Sequence, residues 1–479
     1  MRNLIQGLLL LWCLAASAAH AMALTDKAAT RKGDLDEMLD DRLLRVLVVY
    51  DNANFYLHQG RQDGLNVSLT REFERWLNQR YFAGQKLKMN MVLVPVRHDQ
   101  LLPMLNEGKG DLVLANLSVT DSRRKLVDFS IPDMTGLQEY LVSSDKVPEI
   151  RNLTELSGKH VWVRKSSSYY ESLQLLNEML ATLHMTPVYI EQADESLQDS
   201  DLLQMVSEGD IPFTLVDSHK AKIWNPVFSG LRVHNQVPLR KEGATAWAFR
   251  KNSPQLESEV NAFLKEYRAG TSKGEPLYRR YLQQAPGIAQ RFLRGGTERM
   301  GWSVADYQRY APLFQRYAER YQLDWMMLFA QAYQESTLNQ SARSSRGAMG
   351  VMQVLPSTAR EPYINVRNIA SLENNVHAGT KYMRYMMDNY FSDAELDDNN
   401  RALFTLAAYN AGPNRIAQYR KEAARRGLNG NIWFDNVEKV AATKVGAETV
   451  QYVKNVSSRY VAYRRSYELN QQRKQSRPR

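Results

Sequence analysis

The sequence predicts a multidomain protein in which a bilobal α/β fold is followed by an all-α domain. Three observations predict it. Short β-rich runs alternate with helical stretches from about Leu43 to Leu282. That pattern restarts near Gly158, and from about Gly296 long amphipathic runs rich in Tyr, Ala, Met and Arg take over. At 479 residues the chain also exceeds the size at which one core keeps growing, so two or three domains are expected.

The first element is not part of the fold. "MRNLIQGLLLLWCLAASAAHAMA" carries a basic residue, an apolar run and the small-x-small triplet Ala19-His20-Ala21, so residues 1–21 read as a signal peptide. No later apolar run approaches the ~20 residues of a membrane-spanning helix. The single cysteine, Cys13, lies inside this segment, and bulky Trp12 before it argues against a lipid attachment site. A chain cleaved after Ala21 has no disulfide, which suits an exported protein that folds without oxidative staples.

"LLRVLVVY", "LKMNMVLVPV" and "DLVLANLSV" read as strands, separated by the helical "SLTREFERWLNQRYF" and "DQLLPMLNEGKG". The alternation resumes with "GKHVWVRKSSSYYESLQLLNEML", "TPVYIEQ" and "IPFTLVDSHKAKIW", and closes with the strand and helix of "ATAWAFRKNSPQLESEVNAFLKEY". Such spacing implies a largely parallel sheet with helices on both faces, in two lobes of about a hundred residues each. This domain is placed at residues 43–285 and a linker at 286–300.

The all-α domain is placed at residues 301–468 and a basic, disordered tail at 469–479. Its helices are read from "DYQRYAPLFQRYAERY", "DWMMLFAQAYQES", "NNVHAGTKYMRYMMDNYF", "RALFTLAAYNAG" and "ETVQYVKNVSSRYVAYRRSY". In the second, Asp324 is the N-cap and Met326, Phe329, Ala330 and Tyr333 form the core stripe. Glu335 then sits at the helix C-terminus on the edge of the buried face. Carbonyl dipoles and partial burial both disfavour its ionised form, so its pKa is expected to rise. A carboxylic acid kept protonated near neutral pH is what a general acid on a glycosidic oxygen requires.

Glu335-Ser336, Gly350-Val351-Met352-Gln353 and Ala408-Tyr409-Asn410 follow one another in a single helical domain. In this ordered set, with Ser344, "VHAGTKYM" and Tyr452, the chain resembles the family 1 soluble lytic transglycosylases. These are lysozyme-like muramidases that cleave peptidoglycan; Val351 replaces their usual leucine. The resemblance implies that Glu335 protonates the bond between N-acetylmuramic acid and N-acetylglucosamine. It then takes the proton of the muramyl C6 hydroxyl, closing a 1,6-anhydro ring. The internal nucleophile removes the need for the second carboxylate of ordinary glycosidases. Ser344 and Tyr452 are expected to support catalysis. Gln353, Tyr409 and Asn410 are expected to bind the glycan, and Met352 either does so or packs in the core.

"SVTDSRRKLVDFSIP" resembles the family 3 periplasmic solute-binding proteins, through Thr120, Arg123, Asp128, Phe129 and Ser130. The resemblance implies that Arg123 clamps a ligand carboxylate with its planar fork. Asp217 would take an amino group, and Thr120, Ser167 and Ser168 would add hydrogen bonds. Phe55 or Tyr56 would provide a ligand shelf. A periplasmic-binding-protein fold and a wall-derived peptide or amino acid are the expected fold and ligand.

The two domains in this order resemble envelope enzymes that act in the periplasm, associated peripherally with the outer membrane. Two other readings are a goose-type muramidase using water, and a receptor whose helical domain is an inactive wall-binding module. The net charge of +10, from 62 basic and 52 acidic residues, suits a solvated basic surface or attraction to an acidic polymer. The export signal argues against nucleic acid. No His/Cys/Asp cluster has metal-ligand spacing and no glycine-rich phosphate loop occurs, so neither metal nor cofactor is expected.

Overall fold

The computed structural model describes residues 30–283, 287 and 304–476. The signal segment, Cys13 and the expected linker lie outside the described residues apart from residue 287.

Ten strands form one mixed sheet through both lobes. In the first lobe β1 (Leu43–Val49) pairs in parallel with β4 (Asn90–Val96) and β5 (Leu112–Ser118). The intervening β2 (Tyr56–His58) and β3 (Arg61–Asp63) make a separate hairpin. β6 (Asp128–Phe129) is short, and β7 (Met134–Ser144) is the long strand that leaves this lobe. The second lobe holds β8 (His160–Arg164), β9 (Tyr189–Ala193), β10 (Phe213–Asp217) and β11 (Leu231–His234). β12 (Arg240–Phe249) returns. The order is β4-β1-β5-β12-β7-β10-β8-β9, with β11 beside β7 and β6 beside β12.

The sheet is therefore parallel toward both ends and antiparallel in the middle, where β12 pairs with β5 and β7. The sequence reading put β12 and its following helix in the second lobe. The structure puts them in the first, because Trp247 and Phe249 bury there against the helix Leu65–Tyr81. Trp247 meets Phe73 edge-on at 5.6 Å and lies 5.6 Å from Phe263, on the helix that follows β12. Each such side chain contributes about 1.5–3 kcal/mol by leaving water. Sheet and helices thereby close one lobe from sequence segments separated by the whole of the other.

The helical domain packs around the helix Trp325–Ser336, which is buried nearly all round: Met326 through Tyr333 are all buried. The expected stripe of Met326, Phe329, Ala330 and Tyr333 is thus only part of a central helix enclosed by others.

The largest departure is at the C-terminus. Residues 469–476 are not a disordered tail; they finish a single helix, Ala447–Ser476. Asn470 is buried, Arg473 pairs with fully buried Asp201 of the second lobe, and Ser476 meets Ser196 Oγ at 3.0 Å. Polar residues with buried partners do not need an apolar face to be ordered. The middle of the same helix packs on β4, the sheet's edge strand. There Lys454 Nζ donates to Lys88 O at 3.0 Å, Ser458 O accepts from Gln62 at 3.2 Å and Tyr463 Oη donates to Gly60 O at 2.6 Å. One helix therefore touches the first lobe, the β2–β3 hairpin, the second lobe and the helix Trp325–Ser336.

Candidate active site and regulatory cleft

Asp324 caps the helix Trp325–Ser336 through the Met326 N–H at 2.8 Å. It also accepts from Tyr460 at 2.8 Å and Arg464 at 3.1 Å on the C-terminal helix. At the other end Tyr452 Oη donates to Glu335 Oε1 at 2.6 Å. The two helices therefore run antiparallel, pinned at both ends by polar contacts. Burial pushes the Glu335 carboxyl up to about 7, against the opposing Tyr452 hydrogen bond. No carboxylate contributes to that shift among the described residues.

After Glu335 the helix stops: Thr337 and Leu338 have φ of 53° and 62°. Ser336 Oγ donates to Val351 O at 3.0 Å and accepts from Asn339 N at 3.1 Å, tying the glycine-rich turn to the end of the helix Trp325–Ser336. Buried Asn375 supports the same turn from below. Its amide donates to Met349 O at 2.8 Å and Ile369 O at 3.1 Å, and its oxygen accepts from Met352 N at 2.8 Å. Gly350 has φ +77°, and a Cβ there would lie 2.5 Å from the Asn375 side chain. Only glycine fits on both counts.

Tyr409 Oη donates to Met352 O at 2.7 Å, and Asn410 Oδ1 accepts from Thr449 at 2.7 Å. The "AYN" segment thus holds the turn on one side and the start of the C-terminal helix on the other. Burial, with the charge of nearby Glu335, raises the Tyr409 hydroxyl well above its usual pKa.

Three of the expected site residues have structural surroundings here. Met352 is fully buried and faces Gly379, where a Cβ would come within 2.7 Å of its own, so its side chain belongs to the core rather than to a sugar. The Gln353 amide nitrogen donates to Gly350 O at 2.8 Å and Ala342 O at 3.3 Å, which holds its own turn. Ser344 lies exposed in a turn, its Oγ accepting from Ala348 N at 3.0 Å.

The lobes of the α/β domain are closed on each other. Arg123 donates to Ser118 O in its own lobe and to Ser166 O across the cleft, both at 2.8 Å. Ser122 donates to Glu171 at 2.8 Å from lobe to lobe. Thr120 caps the short helix Asp121–Arg124, and Ser167 caps Ser168–Thr182 while donating to Arg164 O at 2.6 Å. Ser168 donates to Glu139 at 2.7 Å. Asp217 accepts from Tyr169 at 2.9 Å and pairs with Lys220 at 3.0 Å. All five expected ligand residues have protein groups as partners, and none of them lines the cavity found between the lobes. That cavity, of about 30 Å3, is bounded by Asp51, Asn54, His98, Asn116, His219 and Lys220. Phe55 and Tyr56 are buried and do not line it.

Comparison with known families matches "Bacterial extracellular solute-binding proteins, family 3" over residues 44–284, just over half of the 479 residues. The chain belongs to this family. Behind that half it carries a "Transglycosylase SLT domain", matched over residues 312–431. A relative called membrane-bound lytic murein transglycosylase F, from Desulfosudis oleivorans, is 27% identical over 434 residues, covering 87% of this chain and 88% of its own. One of the same name from Pseudomonas fluorescens is 28% identical over 404 residues, covering 84% and 78%. An amino acid ABC transporter substrate-binding protein from Streptococcus pneumoniae, bound to L-arginine, is 22% identical with a TM-score of 0.42, over 53% of this chain and 98% of that one.

Within this solute-binding family member the residues that sequence reasoning missed are the supports. Asn375 and Gly379 lie in a helix from which only the amphipathic pattern and the "VHAGTKYM" resemblance were read, with no task for either residue, and their partners in the turn they hold are 23 to 27 positions away. Their signal was present as an asparagine and a glycine on the inner face of "NNVHAGTKYM", two types that a helix interior disfavours. No described helix is long and apolar enough to cross a membrane, and no group of His, Cys, Asp and Glu that could hold a metal is found among the described residues.

Proposed function

We propose that this chain is a peptidoglycan lytic transglycosylase of the cell envelope, regulated by a solute bound between the lobes of its first half. The observation that carries the chemistry is the environment of Glu335, an acid of pKa about 7 at a buried helix end beside Tyr452. A paired-carboxylate glycosidase holds its two groups within ~5–9.5 Å, where their charges perturb each other. No such perturbation reaches Glu335 among the described residues.

Protonated Glu335 donates to the glycosidic oxygen between N-acetylmuramic acid and N-acetylglucosamine. The C1–O bond breaks, the N-acetylglucosamine end leaves with the proton, and the substrate's acetamido oxygen supports C1. The Glu335 carboxylate then takes the C6 hydroxyl proton, O6 bonds to C1, and the acid is restored. Tyr452 steadies the carboxylate in the interval.

Mass spectrometry of digested sacculi tests this reading. Muropeptides ending in 1,6-anhydro-N-acetylmuramic acid are expected. Reducing muramic ends in their place would make the chain a goose-type hydrolase. An unchanged sacculus with both wild type and Glu335→Gln would leave a receptor with an inactive wall-binding domain.

The regulatory part is supported by the C-terminal helix, which holds Tyr452 at one end and grips the second lobe at the other. A wall-derived peptide or amino acid that engages Arg123 and Asp217 must displace the contacts now made to Ser166 and Lys220. It thereby moves the lobes, the natural two-state element of such a hinge. Muropeptide release with and without stem peptides, repeated with Arg123→Ala, tests this. A response that survives Arg123→Ala removes the clamp.

A further inference from the structure

On the side of the C-terminal helix away from Tyr452 lies a cavity to which the chemistry above gives no task. Its volume is about 450 Å3, against about 30 Å3 for the one between the lobes. One wall is the end of the first lobe's sheet. Leu43 pairs with Asn90 and Arg45 with Val92 in the β1–β4 ladder, so these side chains and Val94 share one sheet face. The facing wall comes from the helical domain. It is made by Leu403 of the helix Asp398–Ala411, by Phe434, and by Lys454, Ser458 and Val461 of the C-terminal helix. Lys454 follows Tyr452 by two positions, roughly 200° round the helix, and Glu335 does not line the cavity.

The chemistry of the lining selects an occupant. Leu43, Val92, Val94, Leu403, Phe434 and Val461 make the walls largely apolar. Apolar cavities of ~300–1,000 Å3 with a few polar groups are the usual form of small-molecule sites. Asp41, Asp397 and Ile432 are exposed, so the cavity opens to solvent on their side. Its Arg45 end carries spare positive charge. Fully buried Asp111 is shared by three guanidinium groups, of Arg45 at 2.8 Å, Arg250 at 3.4 Å and Arg31 at 3.8 Å. Arg45 uses Nε and Nη2 on that carboxylate, while its buried Nη1 has no hydrogen-bond partner; nor has Arg42 Nε. The lining's own carboxylates are occupied: Asp41 with Arg31, Asp435 and Glu438 with Arg42, and Asp397 with the Asn400 N–H it caps. This end therefore favours one further anionic group. A peptide fits less well, because each of its amides would need a partner within apolar walls.

We propose that this cavity binds a fatty acid, with its carboxylate toward Arg45 and Arg42 and its chain along Val92, Leu403 and Phe434. The bound chain bridges β4 of the first lobe and the helical domain where their walls face each other across the cavity. Because the unfolded chain has no such site, the acid raises the melting temperature.

Calorimetric titration of the full chain with decanoate, decylamine and acetate tests this at pH 8, where the carboxylates are ionised. Decanoate is expected to bind and to raise the melting temperature. Acetate lacks the chain and decylamine carries the opposite charge, so each is expected to bind about tenfold more weakly or worse. Val92→Trp fills the cavity from the sheet and Ser458→Trp fills it from the C-terminal helix, both at half-buried positions. Each is expected to weaken decanoate binding about tenfold or more, while melting as wild type does in its absence. Substitutions from opposite walls keep the test decisive should one of them fail to fold. No binding of decanoate, equal binding of decylamine, or undiminished binding by a folded variant overturns the proposal. The titrations involve no cleavage, so failure of the lytic reading shows separately, as wild-type protein that releases no anhydro ends from sacculi.

Discussion

Tyr452 donates to Glu335 Oε1 at 2.6 Å from a helix that begins more than a hundred positions later in the chain. This bond favours the ionised carboxylate, while burial favours the neutral acid and prevails, bringing the pKa to about 7. Tyr452→Phe removes the opposing effect and leaves the burial. The alkaline limb of the rate profile is therefore expected to move to higher pH even as the maximal rate falls. A profile measured on sacculi from pH 5 to 9 decides; an alkaline limb unmoved or shifted to lower pH would show that the hydroxyl does not act on the carboxylate.

Glu335→Gln separates chemistry from stability. The amide cannot transfer a proton, so muropeptide release is expected to fall about 10²–10⁴-fold. Stability should move the other way. The folded pKa of about 7 lies above the ordinary value of 4.5, so the folded state binds the extra proton. Its stabilising contribution is full below about 4.5 and is lost as pH rises through about 7, a difference of roughly 3 kcal/mol. The variant lacks this loss, and its melting temperature relative to wild type is expected to be higher at pH 8 than at pH 5. Parallel melting at both pH values would mean that the carboxyl is not held in a costly state.

Asn375→Ala probes the support under the turn. It strands the carbonyls of Met349 and Ile369 and the N–H of Met352, each at hydrogen-bond distance from the amide. Each buried group left without a partner costs about 1–3 kcal/mol, so a loss of about 3 kcal/mol or more is expected in urea unfolding. Because the substitution does not touch Glu335, the alkaline limb should stay where it is while the rate drops. A variant as stable as wild type would show that the turn holds itself.

The helix Trp325–Ser336 was legible because what marks it is local: the Asp324 cap, the apolar run, and a glutamate followed by a turn. The same holds for the order of the three motifs. What stayed hidden depends on partners far away in the chain. Met352 reads as a candidate contact until Gly379 is seen to close over it. β12 reads as the end of the second lobe until it pairs with β5 of the first. Residues 469–479 read as a basic tail, because nothing local says that Asp201 and Ser196 wait for Arg473 and Ser476.

That last contact makes the strongest claim on regulation. Arg473 pairs with Asp201 at the start of the helix Asp199–Glu208, in the lobe that must move when the cleft opens. Twenty-one positions earlier the same helix presents Tyr452 to Glu335, and between them it is fixed to Gly60 and Lys88 of the first lobe. A shift of the second lobe therefore pulls on one end of a rod whose other end sets the acid. Arg473→Ala cuts the pull and leaves every contact of Glu335 in place. Cleavage is expected to persist, while the ratio of rates with and without stem peptides falls to about one. Muropeptide release measured on wild type and variant, with stem peptides from digested sacculi as the probe, gives that ratio directly. A variant that responds as wild type does would place the coupling elsewhere, in the β2–β3 hairpin and its bond to Tyr463.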